Sequence, residues 1–356
     1  MAGRDASWVR EQRLRAQGLA RPAGRSPTDA VRRLLAVQSQ EAAHAFWSLG
    51  LRSDATGEAE VRAAYEEGAV VRTHVLRPTW HLVATEDVRW LLATTAGRVH
   101  QVNGSAYRSL GLDAAARDRG AAALADALAD GTPRTRPELA AVLAEAGLPS
   151  TGVGLASLVM HAELEQVLVS GRMRGAAHTH VLMDDRVPRA STDGPDPARL
   201  LRRFLAGHGP ATVHDVARWS SLTLTAVRRA LDEVRDELEV VELDGVTYLW
   251  LAGEELPGTV PAVLLLPLYD ELPLSYRDLA HVAVDGHPHR PGTDAFVGSV
   301  LAGDANLGLW RREVRGRVVE VALDLAPGTP DDLRDLAEAE ARRLASFLGR
   351  DLELRS

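Results

Sequence analysis

The sequence contains no cysteine, and no apolar run in it approaches the roughly 20 residues that a membrane-spanning helix requires. Without thiols the chain can form neither disulfides nor thiolate metal sites, which excludes thiol redox chemistry. No apolar segment of signal-peptide type precedes the first charged residues. We therefore expect a soluble, cytoplasmic protein.

Lysine is also absent, so all 41 basic residues are arginine, and they are unevenly distributed. The 356 residues carry 49 acidic groups and a formal net charge of -8, which argues against a general basic surface for nucleic acid. Residues 1–110, however, hold 15 Arg against 11 acidic residues, a net charge of +4. The remainder holds 26 Arg against 38 acidic residues, a net charge of -12. A polyanion would therefore bind at the N-terminal third.

Three short helices followed by a β-hairpin are predicted within the first 110 residues. Apolar periodicity predicts a helix over 27–37, a polar break at Gln38-Ser39-Gln40 and a second helix through Leu49. The further predicted elements are a helix over 58–67, strands over 70–76 and 79–83, and a helix that Thr85 caps and that ends near Gly97. Three helices and a hairpin in this order predict a winged helix.

The same order is predicted twice more. In the second copy, helices cover 113–130, 136–146 and 152–164, and strands cover 167–170 and 178–183. In the third copy, helices cover 197–207, a short segment after Thr212 and 223–235, and strands cover 239–243 and 246–251. Capping boxes opened by Thr135 and Thr212 and the hairpin dipeptide Asp244-Gly245 support these boundaries.

From Pro261 onward short β-rich runs dominate, and an amphipathic helix is predicted over 331–349. The predicted fold class is therefore α+β, with three tandem winged-helix modules and a C-terminal β-rich domain. The predicted domains are 1–110, 111–192, 193–258 and 259–356. A chain of 356 residues is long enough for several such modules.

Several separated segments resemble the AlkZ-type DNA glycosylases, bacterial winged-helix proteins that act on bulky or cross-linking alkyl adducts of DNA. The resemblance covers nearly the whole chain. It is carried by 34–40 (LLAVQSQ), 72–82 around Arg77-Pro78-Thr79-Trp80-His81, 169–172 ahead of 185–188, 208–223 and 265–278. The resemblance places the family's catalytic Gln-x-Gln pair on Gln38 and Gln40. The residue between them is commonly aliphatic in the family, whereas here it is Ser39.

A glutamine pair suits one kind of leaving group. Alkylation of guanine at N7 makes the base cationic and weakens its glycosidic bond, so little acid catalysis is required. The enzyme must still hold a water at the anomeric carbon and stabilise an oxocarbenium-like sugar with oriented dipoles. A glutamine carbonyl can do both, but it is no strong general base. We therefore expect cationic adducts, rather than neutral lesions, to be substrates.

Arginines and a histidine on the predicted wings are candidate DNA contacts. Arg72, Arg77 and His81 lie on or beside the first wing, where they would contact phosphates or approach the lesion. The alternatives are a surface ion pair for Arg72 and a hydrogen-bonded structural role for His81. Arg172 and Arg174 occupy the tip of the second wing, as phosphate contacts or as solvated turn residues.

Asp270 and Glu271 follow an apolar strand and could orient a water or an arginine. We favour a structural interpretation, because adjacent carboxylates on an extended chain point to opposite sides. No cofactor and no metal is expected, since the twelve histidines show no pair at metal-ligand spacing with an acid on one helix face. His287-Pro288-His289 is expected in a loop.

Three functions compete at this point. The preferred one is a monofunctional DNA glycosylase, acting as a monomer on double-stranded DNA that carries alkylated guanine. Such an enzyme would serve base-excision repair, unhooking of interstrand cross-links or self-resistance to a DNA-alkylating antibiotic. The second is a non-catalytic DNA-binding protein such as a transcriptional regulator, because a fold does not fix a function. The third is a protein that sequesters the free drug or adduct.

Overall fold

The computed structural model describes residues 5–254, 256–277, 297–303 and 305–355. After α1 (Ala6–Ala16), the chain forms a first helix–hairpin unit. Its elements are α2 (Pro27–Leu34), β1 (Val37–Gln38), α3 (Ala42–Arg52), α4 (Glu58–Glu67), β2 (Val70–His74) and β3 (Trp80–Ala84). The three strands form one sheet in the order β1-β3-β2. The predicted hairpin around Arg77-Pro78 is thereby confirmed, and α5 (Val88–Ser109) leads out of the unit.

The second unit repeats this order. Its elements are α6 (Ala114–Leu128), β4 (Arg134–Thr135), α7 (Arg136–Glu145), α8 (Gly152–Leu164), β5 (Leu168–Ser170) and β6 (Thr179–Leu182), followed by the short α9 (Met183–Arg186). The sheet order β4-β6-β5 matches that of the first unit, since the second hairpin strand is again central.

The third unit has the same helices and hairpin. Its elements are α10 (Pro197–His208), α11 (Val213–Ser220), α12 (Leu224–Val234), β7 (Leu238–Leu243) and β8 (Val246–Leu251). A single bridge between Ala211 and Leu249 takes the place of the short first strand. The turn Asp244-Gly245 has positive φ at both residues, as a tight hairpin turn requires.

Local signals explain where the helices of the later units begin. Thr135 and Thr212 form the expected capping boxes, with Glu138 and Asp215 as their reciprocal partners. Each box satisfies backbone N–H groups that a helix leaves without an internal acceptor. The sequence therefore determines these boundaries through local hydrogen bonds.

Two predicted helix ends are wrong. The helix expected to end near Gly97 continues as α5 to Ser109, because an internal glycine costs only about 1 kcal/mol relative to alanine. The helix expected over 27–37 ends at Leu34. Leu35 then takes a φ of 65°, which turns the chain into the extended segment β1.

The C-terminal part is built on a five-stranded sheet in the order β13-β12-β11-β10-β9. Its elements are β9 (Val263–Leu266), α13 (Glu271–Ser275), β10 (Gly298–Ala302), β11 (Ala305–Arg315), β12 (Val318–Leu325), α14 (Asp331–Phe347) and β13 (Asp351–Arg355). Neighbouring strands are antiparallel except β12 and β13, which are parallel and are joined through α14. Strand β13 has no counterpart in the sequence prediction. His287-Pro288-His289 lies outside the described residues.

One hydrophobic core connects all these parts, from Leu14 to Phe347. The ring of Phe347 on α14 lies 5.3 Å from that of Trp47 on α3. Gly50 on the same helix permits this packing, because a Cβ there would lie 2.6 Å from the Phe347 ring. The C-terminal part therefore packs directly on the first unit. In the part of the chain that the structure describes, no helix is both long and apolar enough to cross a membrane.

Candidate active site

Gln38 lies in a strand, not in a polar break at the end of a helix. Strand β1 pairs antiparallel with β3, and Gln38 stands opposite His81 in this register. Opposed residues of an antiparallel pair project to the same face of the sheet, so their side chains are neighbours. Gln38 is buried, with 7% of its surface exposed.

Two hydrogen bonds fix Gln38. Its side-chain Oε1 accepts from Arg77 Nη2 at 3.0 Å, and its backbone N–H donates to Glu271 Oε1 at 2.7 Å. The first bond sets the direction of the amide dipole. The second ties β1 to the C-terminal part of the chain. Gln38 thus has a defined orientation before any ligand binds.

Arg77 is the centre of this arrangement. Besides Gln38, its guanidinium donates to the carbonyl oxygen of Trp219 at 3.0 Å and lies 3.1 Å from His81 Nε2. A guanidinium can only donate, so His81 Nε2 must be the unprotonated acceptor nitrogen. Burial, followed by the charge of Arg77, lowers the pKa of His81 well below its ordinary value. His81 is therefore a neutral imidazole, and burial also lowers the pKa of Arg77.

Glu271 of α13 holds both Gln38 and Trp219. While Oε1 holds the Gln38 amide, Oε2 accepts from Trp219 Nε1 at 2.9 Å. Burial raises the pKa of this carboxyl above its ordinary value, and the positive charge of Arg77 acts against that shift. Glu271 therefore contacts the backbone of Gln38 and the indole of Trp219, through two different oxygens.

Asp270 points elsewhere. It forms a buried ion pair with Arg52 of α3, with Nη2 to Oδ1 at 2.7 Å and Nη1 to Oδ2 at 2.8 Å. Ser48 Oγ also donates to Oδ2 at 2.8 Å, and the N–H of Leu272 donates to Oδ1 at 2.9 Å. Asp270 therefore caps α13 and joins it to α3. The two adjacent carboxylates serve different partners.

Gln40 is exposed, in contrast to Gln38. Ser39, between the two glutamines, is fully buried. Its backbone N–H donates to the Trp80 carbonyl at 2.7 Å, and its backbone carbonyl accepts from Arg72 Nε at 2.9 Å. The Arg72 guanidinium also lies 4.2 Å from the centre of the Trp80 ring. Burial lowers the pKa of Arg72 to about 10. Arg72 therefore holds the backbone of the motif in place.

A buried acid that no sequence pattern indicates lies beside this group. Glu163 of α8 has no exposed surface, and one of its oxygens contacts both the backbone N–H and the ring Nδ1 of His74. The other oxygen lies 3.5 Å from His180 Nε2 and 3.4 Å from Trp80 Nε1. Burial acts to raise the pKa of Glu163, but His74 and His180 outweigh it and the net shift is downward. Its partners come from separate hairpins, so no sequence spacing could have shown the cluster.

Arg172 and Arg174 lie in the loop between β5 and β6, and both are exposed. Arg174 pairs with Glu138 at 2.9 Å and donates to the Pro133 carbonyl at 2.6 Å.

Of the residues chosen from the sequence, the structure brings together Gln38, Arg77, His81 and Glu271, with Arg72 bound to the backbone of the motif. Trp219 completes the group, and its only signal was its place in a resembling segment.

A set of side chains that could ligate a metal ion exists among the described residues, and it comprises His100, His161 and Glu165. None of these residues takes part in the contacts around Gln38. The arrangement around Gln38 offers instead an oriented amide, a neutral imidazole and a partly buried guanidinium. Such groups can position a water and stabilise charge, but they supply no strong base at neutral pH.

The profile of the AlkZ-like DNA glycosylase family matches residues 31–347. An interstrand DNA cross-link repair glycosylase of Streptomyces sahachiroi is 28% identical over 287 residues, which cover 75% of this chain and 76% of that protein. The solved structure of the DNA glycosylase AlkZ of the same organism superimposes with a TM-score of 0.80 at 24% identity. It covers 99% of this chain and 100% of that one. The chain therefore belongs to the AlkZ-like DNA glycosylase family.

Proposed function

We propose that this DNA glycosylase hydrolyses the bond between deoxyribose and a cationic N7-alkylguanine in duplex DNA and leaves an abasic site. One observation carries the proposal: Gln38 is held in a fixed orientation by Arg77, and Gln40, two residues on, is exposed. The relative from Streptomyces sahachiroi is named for interstrand cross-link repair. This name supports bulky and cross-linking adducts as substrates to test.

We also propose that the three helix–hairpin units are winged-helix modules that hold the duplex. The recurring order of elements and the central position of the second hairpin strand support this interpretation. The boundaries 1–110, 111–192, 193–258 and 259–356 describe these modules and the C-terminal domain. On this proposal the exposed hairpin loops contact phosphates, and the buried face of the first sheet positions the glutamine motif.

Gln38 and Gln40 take different parts in the proposed reaction. Gln38 Oε1 has one lone pair directed at Arg77 and another that can accept from a water molecule. Gln40, at the surface, can approach the sugar and turn its carbonyl oxygen toward the developing positive charge. Departure of a cationic base as a neutral one needs no added proton. The water that adds to the sugar loses its proton to solvent, so the oriented groups around Gln38 can support the reaction without a strong general base.

The test is release of 7-methylguanine from a duplex oligonucleotide under single-turnover conditions. We expect Gln38→Ala and Gln40→Ala each to lower the rate roughly 100- to 1,000-fold, as the loss of one oriented dipole does in other enzymes. Gln101→Ala is the matched control, since Gln101 is an exposed glutamine on α5. Equal rates in all four proteins would contradict the assignment of the motif.

A second series separates the glycosylase from a regulator. Duplexes that carry 7-methylguanine, a bulky N7 adduct or an N7–N7 cross-link would be compared with unmodified DNA. Release of base from any adduct supports the glycosylase, and the relative rates define its range. If the wild-type protein binds DNA and releases no base, a non-catalytic DNA-binding function is favoured.

A further inference from the structure

Helices α5 and α8 bring two histidines and a glutamate together outside the candidate active site. The potential ligand atoms of His100, His161 and Glu165 all lie within 4.8 Å of one another. His100 Nε2 is 2.9 Å from Glu165 Oε1, and Asp118 Oδ1 of α6 is 3.7 Å from His161 Nε2. Three helices therefore direct two imidazoles and two carboxylates at one small volume.

His161 gives a second, independent reason to expect a ligand. Its side chain is 5% exposed, and among the described residues neither of its ring nitrogens has a hydrogen-bond partner. Buried polar groups in folded proteins are almost always satisfied, so an imidazole without partners requires an explanation.

We propose that His100, His161 and Glu165 bind one zinc ion, with the carboxylate of Asp118 or a water in the fourth position. Zinc accepts nitrogen and oxygen ligands at about 2.0–2.2 Å in a tetrahedron, which places neighbouring ligand atoms about 3.3 Å apart. The His100–Glu165 and His161–Asp118 separations of 2.9 and 3.7 Å lie on either side of that value. The other separations among the three ligand atoms are at most 4.8 Å, so side-chain rotations must bring these atoms closer to complete the site. Asp118 and Glu165 have exposed fractions of 76% and 51% and are free to rotate.

The surroundings include one feature of a metal site and one that opposes it. The Nδ1 of His100 lies 3.1 Å from the hydroxyl of Tyr107, a partner that leaves Nε2 for the ion. Arg117, whose guanidinium lies 4.5 Å from the centre of the Tyr107 ring, opposes a cation through its charge. The two carboxylates offset that repulsion.

The role of such an ion would be structural. His100 belongs to α5, which leaves the first unit, whereas His161 belongs to α8 in the second unit and Glu165 directly follows that helix. An ion bound to both would fix the angle between the connecting helix and the second unit. The sequence predicts no metal site, because its histidines show no pair at metal-ligand spacing with an acid on one helix face, and His100 and His161 lie on different helices. Only the spacing of His161 and Glu165, one helical turn, gives a local signal.

Metal binding can be measured directly on untagged full-length protein that has been stripped with EDTA and dialysed. Titration with zinc chloride by calorimetry should show one equivalent bound, and cobalt(II) should give the visible absorption of a four-coordinate site. Because loss of an outer-shell partner alone weakens metal sites about 10- to 100-fold, we expect His161→Ala to weaken zinc at least that much. Glu165→Gln, at a half-exposed position, tests the same site without disturbing the core.

The control is His214→Ala, a histidine of α11 that belongs to the third unit. This variant should bind zinc as the wild type does. Absence of a saturable equivalent in the wild type would overturn the proposal. So would unchanged zinc affinity in Glu165→Gln and His161→Ala, both verified as folded by circular dichroism.

Discussion

Arg77 divides its guanidinium among three acceptors: Gln38 Oε1, His81 Nε2 and the carbonyl of Trp219. Three of its five N–H donors are thus held by internal partners. The geometry therefore favours Arg77 as a positioning residue, which acts on the reaction through Gln38. The two interpretations, positioning and phosphate contact, predict different measurements.

We expect Arg77→Ala to lower the single-turnover rate roughly 10- to 100-fold, because small misplacements of reacting groups cost about that much. DNA affinity and its dependence on salt should stay unchanged. Arg77→Lys, which retains the charge but not the planar fork, should recover only part of the rate. Weaker DNA binding with a smaller salt slope at an unchanged rate would show phosphate contact instead.

Sequence patterns indicated several of the residues that come together around Gln38, but not the contacts that these residues make. Glu271 and Gln38 are more than two hundred positions apart, and nothing in their local patterns shows that a carboxylate of the first accepts from the backbone of the second. The structural interpretation of Asp270 agrees with its buried pair with Arg52. Arginine side chains are usually exposed, so a surface position was expected for Arg72. In the structure its side chain is buried and donates a hydrogen bond to the Ser39 carbonyl.

At the scale of elements, helix α5 shows why a glycine is a weak stop signal. Gly97 lies inside this helix, and a Cβ added there would meet no atom within 4 Å. Gly207 lies inside α10, where a Cβ would stand 2.2 Å from the carbonyl oxygen of Arg33. The same residue type is therefore dispensable in one helix and required in the other.

We expect Gly97→Ala to raise the free energy of unfolding by about 0.5–1 kcal/mol, because alanine loses less backbone entropy in a helix. Gly207→Ala should lower it, since α10 must move away from α2. Urea denaturation of both variants measures the difference. A loss of stability in Gly97→Ala would show that this part of α5 does not form as described.

The hairpin of the second unit carries two exposed arginines, and its proposed function is phosphate contact. Replacing Arg172 and Arg174 by alanine should reduce the slope of log affinity against log salt by about 1 for each phosphate that the protein no longer neutralises. Arg342→Ala on α14 removes an equally exposed charge and is the control. An unchanged slope in the double variant would mean that this hairpin does not contact DNA.

The elements themselves were largely predictable, because caps, turn dipeptides and apolar periodicity act over a few residues. Strand β1 was missed, since two residues carry no periodicity and their extended form depends on pairing with β3. Strand β13 depends similarly on the parallel partner β12. Pairing with distant strands is a tertiary effect that no short window contains.

At the scale of the whole molecule, buried histidines make the fold sensitive to acid. His208 is fully buried, with Nε2 donating to the Leu34 carbonyl at 3.0 Å and Nδ1 2.8 Å from Ser275 Oγ. Burial lowers its pKa to about 3, and burial lowers the pKa of His44 to about 4. Each folded pKa lies below the unfolded value, so the unfolded chain takes up the proton first as the pH falls.

Stability should therefore be complete above about pH 6.5 and decline below it. Between pH 6.5 and pH 5 each of these histidines is expected to cost about 2 kcal/mol, since a group protonated only in the unfolded state contributes about 1.4 kcal/mol per pH unit. Chemical denaturation at pH 7 and pH 5 measures the change. In His44→Gln the decline should be smaller by about 2 kcal/mol, and an equal decline in both proteins would exclude His44 as a cause.

The bond between Glu271 and the backbone of Gln38 joins the two distant segments that form the candidate active site. This bond also limits which recombinant genes can encode an active enzyme. A recombination event anywhere between these two positions would join one parent's glutamine motif to the other parent's Glu271 carboxylate. Hybrids between relatives should therefore stay active only when both segments come from the same parent. This holds although the chain contains repeated helix–hairpin units.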